Sequence, residues 1–599
     1  MASMTLNDKQ LDSSGRSLEK GLILGFVLAL LPFGLWAQDF ERVAPKPVPN
    51  TETEPSLPAP EPRVEGSQEI LVKKLVGILV LDSTDKVKRN PPAVQGLRAE
   101  GNDLLNKEEF QQVTAKYLGQ PLSIQAINAL VKDLIVFYRD QDRPVVDVVV
   151  PEQDITSGVL QIVAVEGKVG EVRTEGNRWF SSTSLSRQVR VRPGEQIRSS
   201  RILEDVAWLN QNPFRESSVV FTPGSELGTT DLVLKTEDRF PVRFYAGYED
   251  SGNDLTGDER FLAGFNWGDA FFVGHQLNYQ FTGSSDLFDA GADFDNLRAH
   301  SFSYLAPLPW RHTLNVFGSL SSSESELTPF SLSGSSAQAG LRYTVPLPRI
   351  TKHYQHEIYG GFDWKQSDNT LEFGFVPATA TTTDVGQWVL GYRSTLTDPW
   401  GVWSLAPELV WSPGEYFGHQ NDAAYQAVRA NASSDYVYGK IKLSRVTRLP
   451  WDFSLSNEFN AQISSSNLLG SEQMSFGGYS SVRGYDEREL SNTDEGWMVR
   501  NELRAPAISI LQWFGVKGVK DQLQFLGFFD YGSAEAHTGN VTRQDGLAVG
   551  SETLASAGPG LRYSVNSWLT VRADYGFQLN DAGNDRHDSR WHVGVIVSY

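Results

Sequence analysis

The sequence predicts a membrane β-barrel of about 16 antiparallel strands, preceded by two small α+β domains of order β-α-α-β-β. Three observations carry this. From Phe240 to Tyr599 no helical period persists, and runs of about ten residues alternate with period two. The breaks between those runs are short and long in turn. Upstream of them, one pattern of strands and helices occurs twice.

Composition agrees. A chain of 599 residues is too long for one compact soluble domain. Aromatic residues make up 11% and Gly numbers 53, yet only 40% of residues are hydrophobic. That suits a barrel in which every second residue meets lipid. The net charge of −20 argues against a nucleic-acid partner, which needs a basic face. Cys is absent, which excludes a disulfide framework and a thiolate metal site or nucleophile.

The chain begins with Arg16 and Lys20 before an apolar run from Gly21 to Leu31, then Leu35-Trp36-Ala37. This reads as a secretory signal peptide over residues 1–37, cut after Ala37. The alternative is a membrane anchor, for which the run is short and is interrupted by Pro32 and Gly34. Residues 38–67 hold Pro45, Pro47, Pro49, Pro55, Pro58, Pro60 and Pro62, and are expected to form an extended periplasmic tether.

Residues 68–167 form the first expected module. Leu71 to Leu81 reads as a strand and is followed by a polar insertion with Pro91 and Pro92. Phe110, Val113 and Tyr117 share a helical face. Ser123 is a good N-cap for a second helix with the stripe Ile127, Leu130, Val131, Leu134 and Tyr138. Strands follow at Val145–Val150 and Val159–Val165. Residues 168–238 repeat the order, with strands Val169–Thr174, Val219–Thr222 and Thr230–Lys235 and helices Ser181–Val189 and Ser199–Leu209.

These modules resemble tandem POTRA domains. Pro151-Glu152-Gln153-Asp154-Ile155 followed by Val165-Glu166-Gly167-Lys168-Val169-Gly170 resembles the ShlB-type pattern. An exposed sheet edge in such a module accepts an extended peptide as an extra strand, which suits a receptor for unfolded clients. Relatives often begin with a helix that plugs the barrel; the prolines of residues 38–67 leave little room for one.

Residues 239–599 are the expected barrel. Leu569, Val571, Ala573, Tyr575 and Phe577 alternate with Thr570, Arg572, Asp574, Gly576 and Gln578, one set for lipid and the other for water. Short turns fall near Gly268-Asp269, Pro307-Leu308-Pro309, Pro346-Leu347-Pro348, Asp398-Pro399, Leu449-Pro450 and Asn566. Long polar loops are expected at Ser322–Ser336, Ser367–Thr383, Ser412–Ser433 and Glu535–Ser551. Short turns on the periplasmic side and long loops outside are the outer-membrane arrangement, and a barrel of this size leaves an aqueous lumen. The last strand sets Trp591, Val593, Val595, Val597 and Tyr599 on one face. A terminal aromatic on such a strand resembles the assembly signal of bacterial outer-membrane barrels.

One loop differs from the others. Residues 465–493 are polar at both ends but carry Phe476-Gly477-Gly478-Tyr479 and Val482-Arg483-Gly484-Tyr485 between them. Bulky apolar residues there make sense if the loop folds inward. The strand Leu523 to Gly532 places Phe528, Asp530 and Gly532 on the lumen face and Phe525, Phe529 and Tyr531 on the lipid face. Val482-Arg483-Gly484-Tyr485 and Phe528-x-Asp530-x-Gly532 resemble the paired loop and wall motifs of two-partner secretion transporters, in the superfamily that includes BamA. The resemblance implies that Arg483 pairs with Asp530 at the inner wall, as a bidentate, charge-assisted contact.

It further implies an outer-membrane transporter with its POTRA domains in the periplasm. Its partner would be a large secreted exoprotein, an adhesin or haemolysin, whose N-terminal secretion domain binds the POTRA domains. Outer-membrane lipid and the barrel assembly machinery are the other expected partners, and a monomer is expected. A BamA-like assembly factor and a passive porin are the alternatives. No catalytic motif, cofactor site or metal site is found. His353 and His356 simply occupy a strand, and Asn580 to Asp585, although rich in oxygen ligands, reads as a solvated turn.

Overall fold

The computed structural model describes residues 38–48 and 66–599, apart from 102, 227, 254–255, 289–295, 328–329, 352, 374–375, 491–492, 538–550 and 582–587. The expected signal peptide, residues 49–65 of the tether and most of the Asn580–Asp585 turn lie outside the described residues. The chain divides into two compact units, one of residues 53–240 and one that joins residues 1–52 to residues 241–599.

The first described element is a six-residue helix, α1 (Gln38–Val43). The first unit then opens with β1 (Ile70–Val72), β2 (Gly77–Leu81) and β3 (Gly96–Ala99). It continues with α2 (Glu108–Ala115), β4 (Leu122–Ser123), α3 (Ile124–Asp140), β5 (Val146–Val149) and β6 (Val159–Glu166). The sheet order is β3-β2-β6-β5, with β1 and β4 paired apart. Both helices bury apolar residues against it: Phe110, Leu130, Leu134 and Phe137 meet Ile78, Val80, Leu160 and Ile162. The Ser123 side chain accepts from the Ala126 N–H and so caps α3.

Two expectations are corrected here. The single strand Leu71 to Leu81 is broken between Val72 and Gly77. At Gly77 the chain passes so close to Val94 that a Cβ would stand 2.2 Å from its carbonyl oxygen. The polar insertion also contains a strand, β3, which pairs in parallel with β2. Four residues, Gly-Leu-Arg-Ala, are too few to show an alternation.

The second module has β7 (Lys168–Glu175), α4 (Ser182–Arg187), α5 (Ser199–Leu209), β8 (Arg215–Pro223) and β9 (Thr229–Asp238), in sheet order β7-β9-β8. Helix α5 buries Ile202, Val206 and Leu209. No side chain of its own caps it. Asp142 of the first module does so instead, accepting from Ser200 N and Oγ at 2.7 Å each, and this ties the two modules together.

In the second unit, sixteen antiparallel strands close a barrel. They are β10 (Val242–Asn253), β11 (Gly257–Ala270), β12 (His275–Gly283), β13 (Arg298–Pro307), β14 (Thr313–Leu327), β15 (Phe330–Pro346), β16 (Tyr354–Phe373), β17 (Val376–Asp398) and β18 (Gly401–Pro413). After α6 (Asp422–Val428) come β19 (Asp435–Arg448), β20 (Ser454–Ser464) and β21 (Glu495–Arg504). After α7 (Ile510–Trp513) come β22 (Asp521–Glu535), β23 (Glu552–Val565), β24 (Leu569–Gln578) and β25 (Ser589–Ser598). Strands β10 and β25 close it through pairs from Tyr245–Ser598 to Glu249–Gly594. The period-two pattern sorts inside from outside: Phe525 and Phe529 are exposed, whereas Phe528 and Asp530 are buried.

Two of the expected loops are strands. The β14–β15 ladder runs on to Leu327–Phe330 and the β16–β17 ladder to Phe373–Val376, so Ser322–Ser336 and Ser367–Thr383 are long hairpins. Past the bilayer both faces of a hairpin meet water, so a polar composition does not distinguish a strand from a loop there.

The segment from residue 38 to 48 is not a free tether. Helix α1 packs on β12, β13 and β14 inside the barrel, with the Phe40 ring 4.8 Å from that of Phe317, and both side chains are buried. The expectation that prolines exclude such a helix fails because α1 ends at Val43, before Pro45. The prolines then shape the extended stretch that follows.

Candidate functional site

Between β20 and β21 the chain turns back into the barrel. Its inward path depends on glycine: Gly477, Gly478 and Gly484 have φ of +93°, +102° and +91°, which side chains disfavour. Phe476, Val482 and Tyr485 are fully buried and pack with Leu490, Met498 and Leu554. This is why a polar loop carries bulky apolar residues.

The loop meets the wall at Arg483. Its Nε donates to Asp530 Oδ2 at 2.7 Å and its Nη2 to Asp530 Oδ1 at 2.9 Å, while the Arg483 backbone N–H reaches the same carboxylate at 3.2 Å. Both side chains are fully buried. The Phe528 ring lies under the guanidinium, 3.7 Å from centroid to Cζ. Gly532 completes the wall motif by absence: a Cβ there would stand 2.8 Å from the Phe476 ring. The structure thus brings Arg483, Phe528, Asp530 and Gly532 to one place on β22.

The other motif residues lie on neighbouring strands. Gly484 passes Gly576 of β24 backbone to backbone, and its N–H donates to His592 Nε2 at 2.9 Å. Gln578 Nε2 donates to Gly484 O. The Tyr485 hydroxyl lies 2.8 Å from Ala555 O and 2.7 Å from Asn580 O. The loop tip is therefore held by β22, β23, β24 and β25 together.

Two wall carboxylates in this cluster were not singled out from the sequence. Arg483 Nη1 donates to Glu502 of β21 at 2.7 Å and lies 3.5 Å from Asp574 of β24. Arg504 and Arg562 also bind Glu502, and Arg562 and Arg572 bind Asp574. Arg572 stacks on the Tyr479 ring of the loop and donates to Tyr479 O at 2.7 Å. A buried guanidinium is expensive unless it is paired, and here each of the three Arg483 side-chain nitrogens donates to a carboxylate. Alternation put Asp574 and Arg572 on the lumen face, but only the strand register shows which lumen residues meet.

A second foot of the loop was also missed. Glu472 is buried at the opposite wall, where Lys365 of β16 donates at 2.5 Å and Gln387 of β17 and Tyr438 of β19 each donate at 2.8 Å. A third contact closes the loop's end, where Arg429, just after α6, forms a bidentate pair with Asp494 at 2.5 and 2.7 Å. A lone Glu in a polar loop carries no sequence signal of burial.

The terminal residues sit at the seam. Trp591, Val597 and Tyr599 are exposed on the outer face, and Trp591 stacks near Tyr575 at 4.7 Å. Val593 and Val595 share the alternating face with them, paired with Ala573 and Val571 of β24. Tyr599 exchanges two backbone hydrogen bonds with Phe244 of β10, at 2.9 and 3.1 Å.

Comparisons with known proteins bear on the family and the fold. Residues 228–563 match the family described as haemolysin secretion/activation protein ShlB/FhaC/HecB, and residues 93–167 match the ShlB-type POTRA domain. The heme/hemopexin transporter protein HuxB of Haemophilus influenzae is 22% identical over 501 residues, which is 82% of this chain and 84% of HuxB. The outer membrane transporter CdiB of Dickeya dadantii is 24% identical over 418 residues, 68% of this chain and 71% of that protein. Among solved structures, CdiB from Escherichia coli shares the fold at a TM-score of 0.68 with 18% identity, covering 99% of this chain and 100% of that one. CdiB from Acinetobacter baumannii does so at 0.59 with 17% identity, covering 94% and 96%.

Proposed function

This chain belongs to the haemolysin secretion/activation family ShlB/FhaC/HecB, outer-membrane transporters of two-partner secretion with periplasmic POTRA domains, and we propose that it exports one large adhesin- or haemolysin-type exoprotein. The secretion domain at the exoprotein's N-terminus binds the two modules first. The outer strands of the two sheets, β3 and β5 in one and β7 and β8 in the other, would offer edge backbone hydrogen bonds to an extended chain with loose demands on side chains, although residues 194–196 already bond the start of β7 and Asn210 bonds Ser217 of β8. The chain then passes through the barrel beside the pinned loop.

The observation that carries this reading is the loop itself. A passive pore would not need the loop to be pinned by a fully buried arginine paired with Asp530. Arg483 anchors Val482 and Tyr485 against the wall and so sets the shape of the path. The terminal strand with Tyr599 is the signal read by the barrel assembly machinery, and the transporter works as a monomer in outer-membrane lipid.

The test is site-specific photocrosslinking from β5 and β8 in cells that co-express a candidate exoprotein, stalled by a domain that folds too early. Crosslinks to its secretion domain are expected. Crosslinks to unfolded barrel proteins in its place would turn the reading toward an assembly factor.

A further inference from the structure

The segment after α1 is held by the barrel in an unusual way. Val43 O accepts from Gln280 Nε2 at 3.2 Å and from Ser301 Oγ. The Lys46 N–H reaches the Tyr245 hydroxyl at 3.0 Å and Gln280 Oε1 at 3.2 Å. Lys46 O accepts from Asn266 Nδ2 at 3.0 Å, and Pro47 O from Arg243 Nη1 at 3.1 Å. Each of these bonds ends on a backbone atom of the segment. Only Lys46 Nζ, which pairs with Glu249 at 2.8 Å, adds a side-chain polar contact from the extended part.

The wall that makes these bonds is also bonded within itself. Tyr245 and Gln280 bond each other at 3.0 Å, as do Arg243 and Asn266, and Asn266 bonds Asn278 at 2.9 Å. The five side chains that bond the segment, Arg243, Tyr245, Asn266, Gln280 and Ser301, lie on four adjacent strands, β10 to β13, in two cross-strand rows. Gly264 stands between Tyr245 and Gln280 in the ladder, where a Cβ would meet the Tyr245 hydroxyl at 2.5 Å. Its missing side chain lets the tyrosine lie across β11 toward Gln280.

Side chains that bind only backbone read an extended conformation and not a sequence. Four of the wall groups donate to carbonyls, which every residue has, proline included. We propose that this wall is a binding track for the exported polypeptide in extended form, occupied by the transporter's own residues 43–47 until the client displaces them. The inference rests on the export reading above. It adds a site on β10 to β13, on strands other than those that hold Arg483.

The experiment uses the full chain in cells that secrete the client. Phe40→Asp with Lys46→Asp removes the ring contact and sets a carboxylate against Glu249, which frees the segment. In that background, Asn266→Leu, Gln280→Leu and Ser301→Ala are combined, and secreted client is normalised to heat-modifiable barrel. Losing three or more hydrogen bonds to the moving chain should lower secretion about tenfold below the freed background. Unchanged secretion would overturn the track, leaving the wall a holder of residues 43–47 alone. A photocrosslinker in place of Ser301 adds a direct readout: it should capture a stalled client, and capture only of the N-terminal segment while client is stalled would also overturn the proposal. Secretion by the unaltered transporter against a deletion strain, in the same assay, tests the export reading separately.

Discussion

Gly484 and Gly576 touch backbone to backbone, so that a Cβ on Gly576 would stand 2.6 Å from Gly484 Cα. The contact lets the loop tip sit flush against β24 and puts the Gly484 N–H within reach of His592. Gly576→Ala should therefore lift the tip without touching any charge. Overpacking of this kind costs about 1–3 kcal/mol, and the folded barrel has other contacts to bear it. Secreted client should fall severalfold while heat-modifiable barrel stays within about twofold. Normal secretion by Gly576→Ala would mean that the tip need not seat there.

Gly532 and Phe476 give a prediction of rescue. Gly532→Ala drives a methyl into the Phe476 ring at 2.8 Å and should reduce export. Phe476→Leu shortens the opposing side chain and should restore part of the loss when the two are combined. The readout is secretion by the double variant against each single one. A double variant worse than both singles would show that the two positions do not share a contact.

Lys365 and Glu472 predict a second anchorage. Lys365→Met leaves Glu472 buried without its cation, and loss of one partner from such a pair costs about 3–5 kcal/mol. The chain has no Cys, so a single cysteine in place of Ser471 reports directly on loop seating. Labelling by a membrane-impermeant maleimide should speed up at least about tenfold in the Lys365→Met background. Lys365→Met with Glu472→Met should label more slowly than Lys365→Met alone, because no charge is then left unpaired.

These sites mark where the sequence was legible. Period-two alternation placed Asp530, Phe528 and Gly532 on the lumen face of one strand, and the two motifs pointed to the Arg483–Asp530 pair. Alternation alone names a face and never a partner. Glu502 and Asp574 meet Arg483 only through the stagger of β21, β22 and β24, which is a property of the closed sheet. The hairpin at Ser322–Ser336 was hidden because polarity signals a loop only where one face must be apolar. Helix α1 was hidden because six residues carry too few turns for a period, and its stability comes from packing inside the barrel.

Tyr599 follows β25 with its side chain exposed and its backbone bonded twice to Phe244. Tyr599→Ser keeps those two bonds and removes only the aromatic ring. It should lower the amount of inserted barrel several-fold, and deletion of Tyr599 should lower it further because the seam also loses its terminal pair. Quantifying heat-modifiable barrel in outer-membrane fractions checks both. Equal levels in all three proteins would deny the ring any part in assembly.

The central claim is that Arg483 holds the loop to the wall and that export depends on it. Arg483→Ala should cut secretion most, since it leaves Asp530 buried without a cation and Glu502 and Asp574 with fewer donors. Arg483→Lys should rescue little, because a point charge cannot reach both Asp530 oxygens in a planar fork. Asp530→Ala should cost less than Arg483→Ala, because Glu502 and Asp574 still face the guanidinium. The most direct measurement is the double-mutant cycle, with secreted client per folded barrel for Arg483→Ala, Asp530→Ala and the two together. The double variant should be no worse than Arg483→Ala alone, as the two residues act as one unit. Losses that multiply would show that Arg483 and Asp530 act independently, and would contradict the anchor.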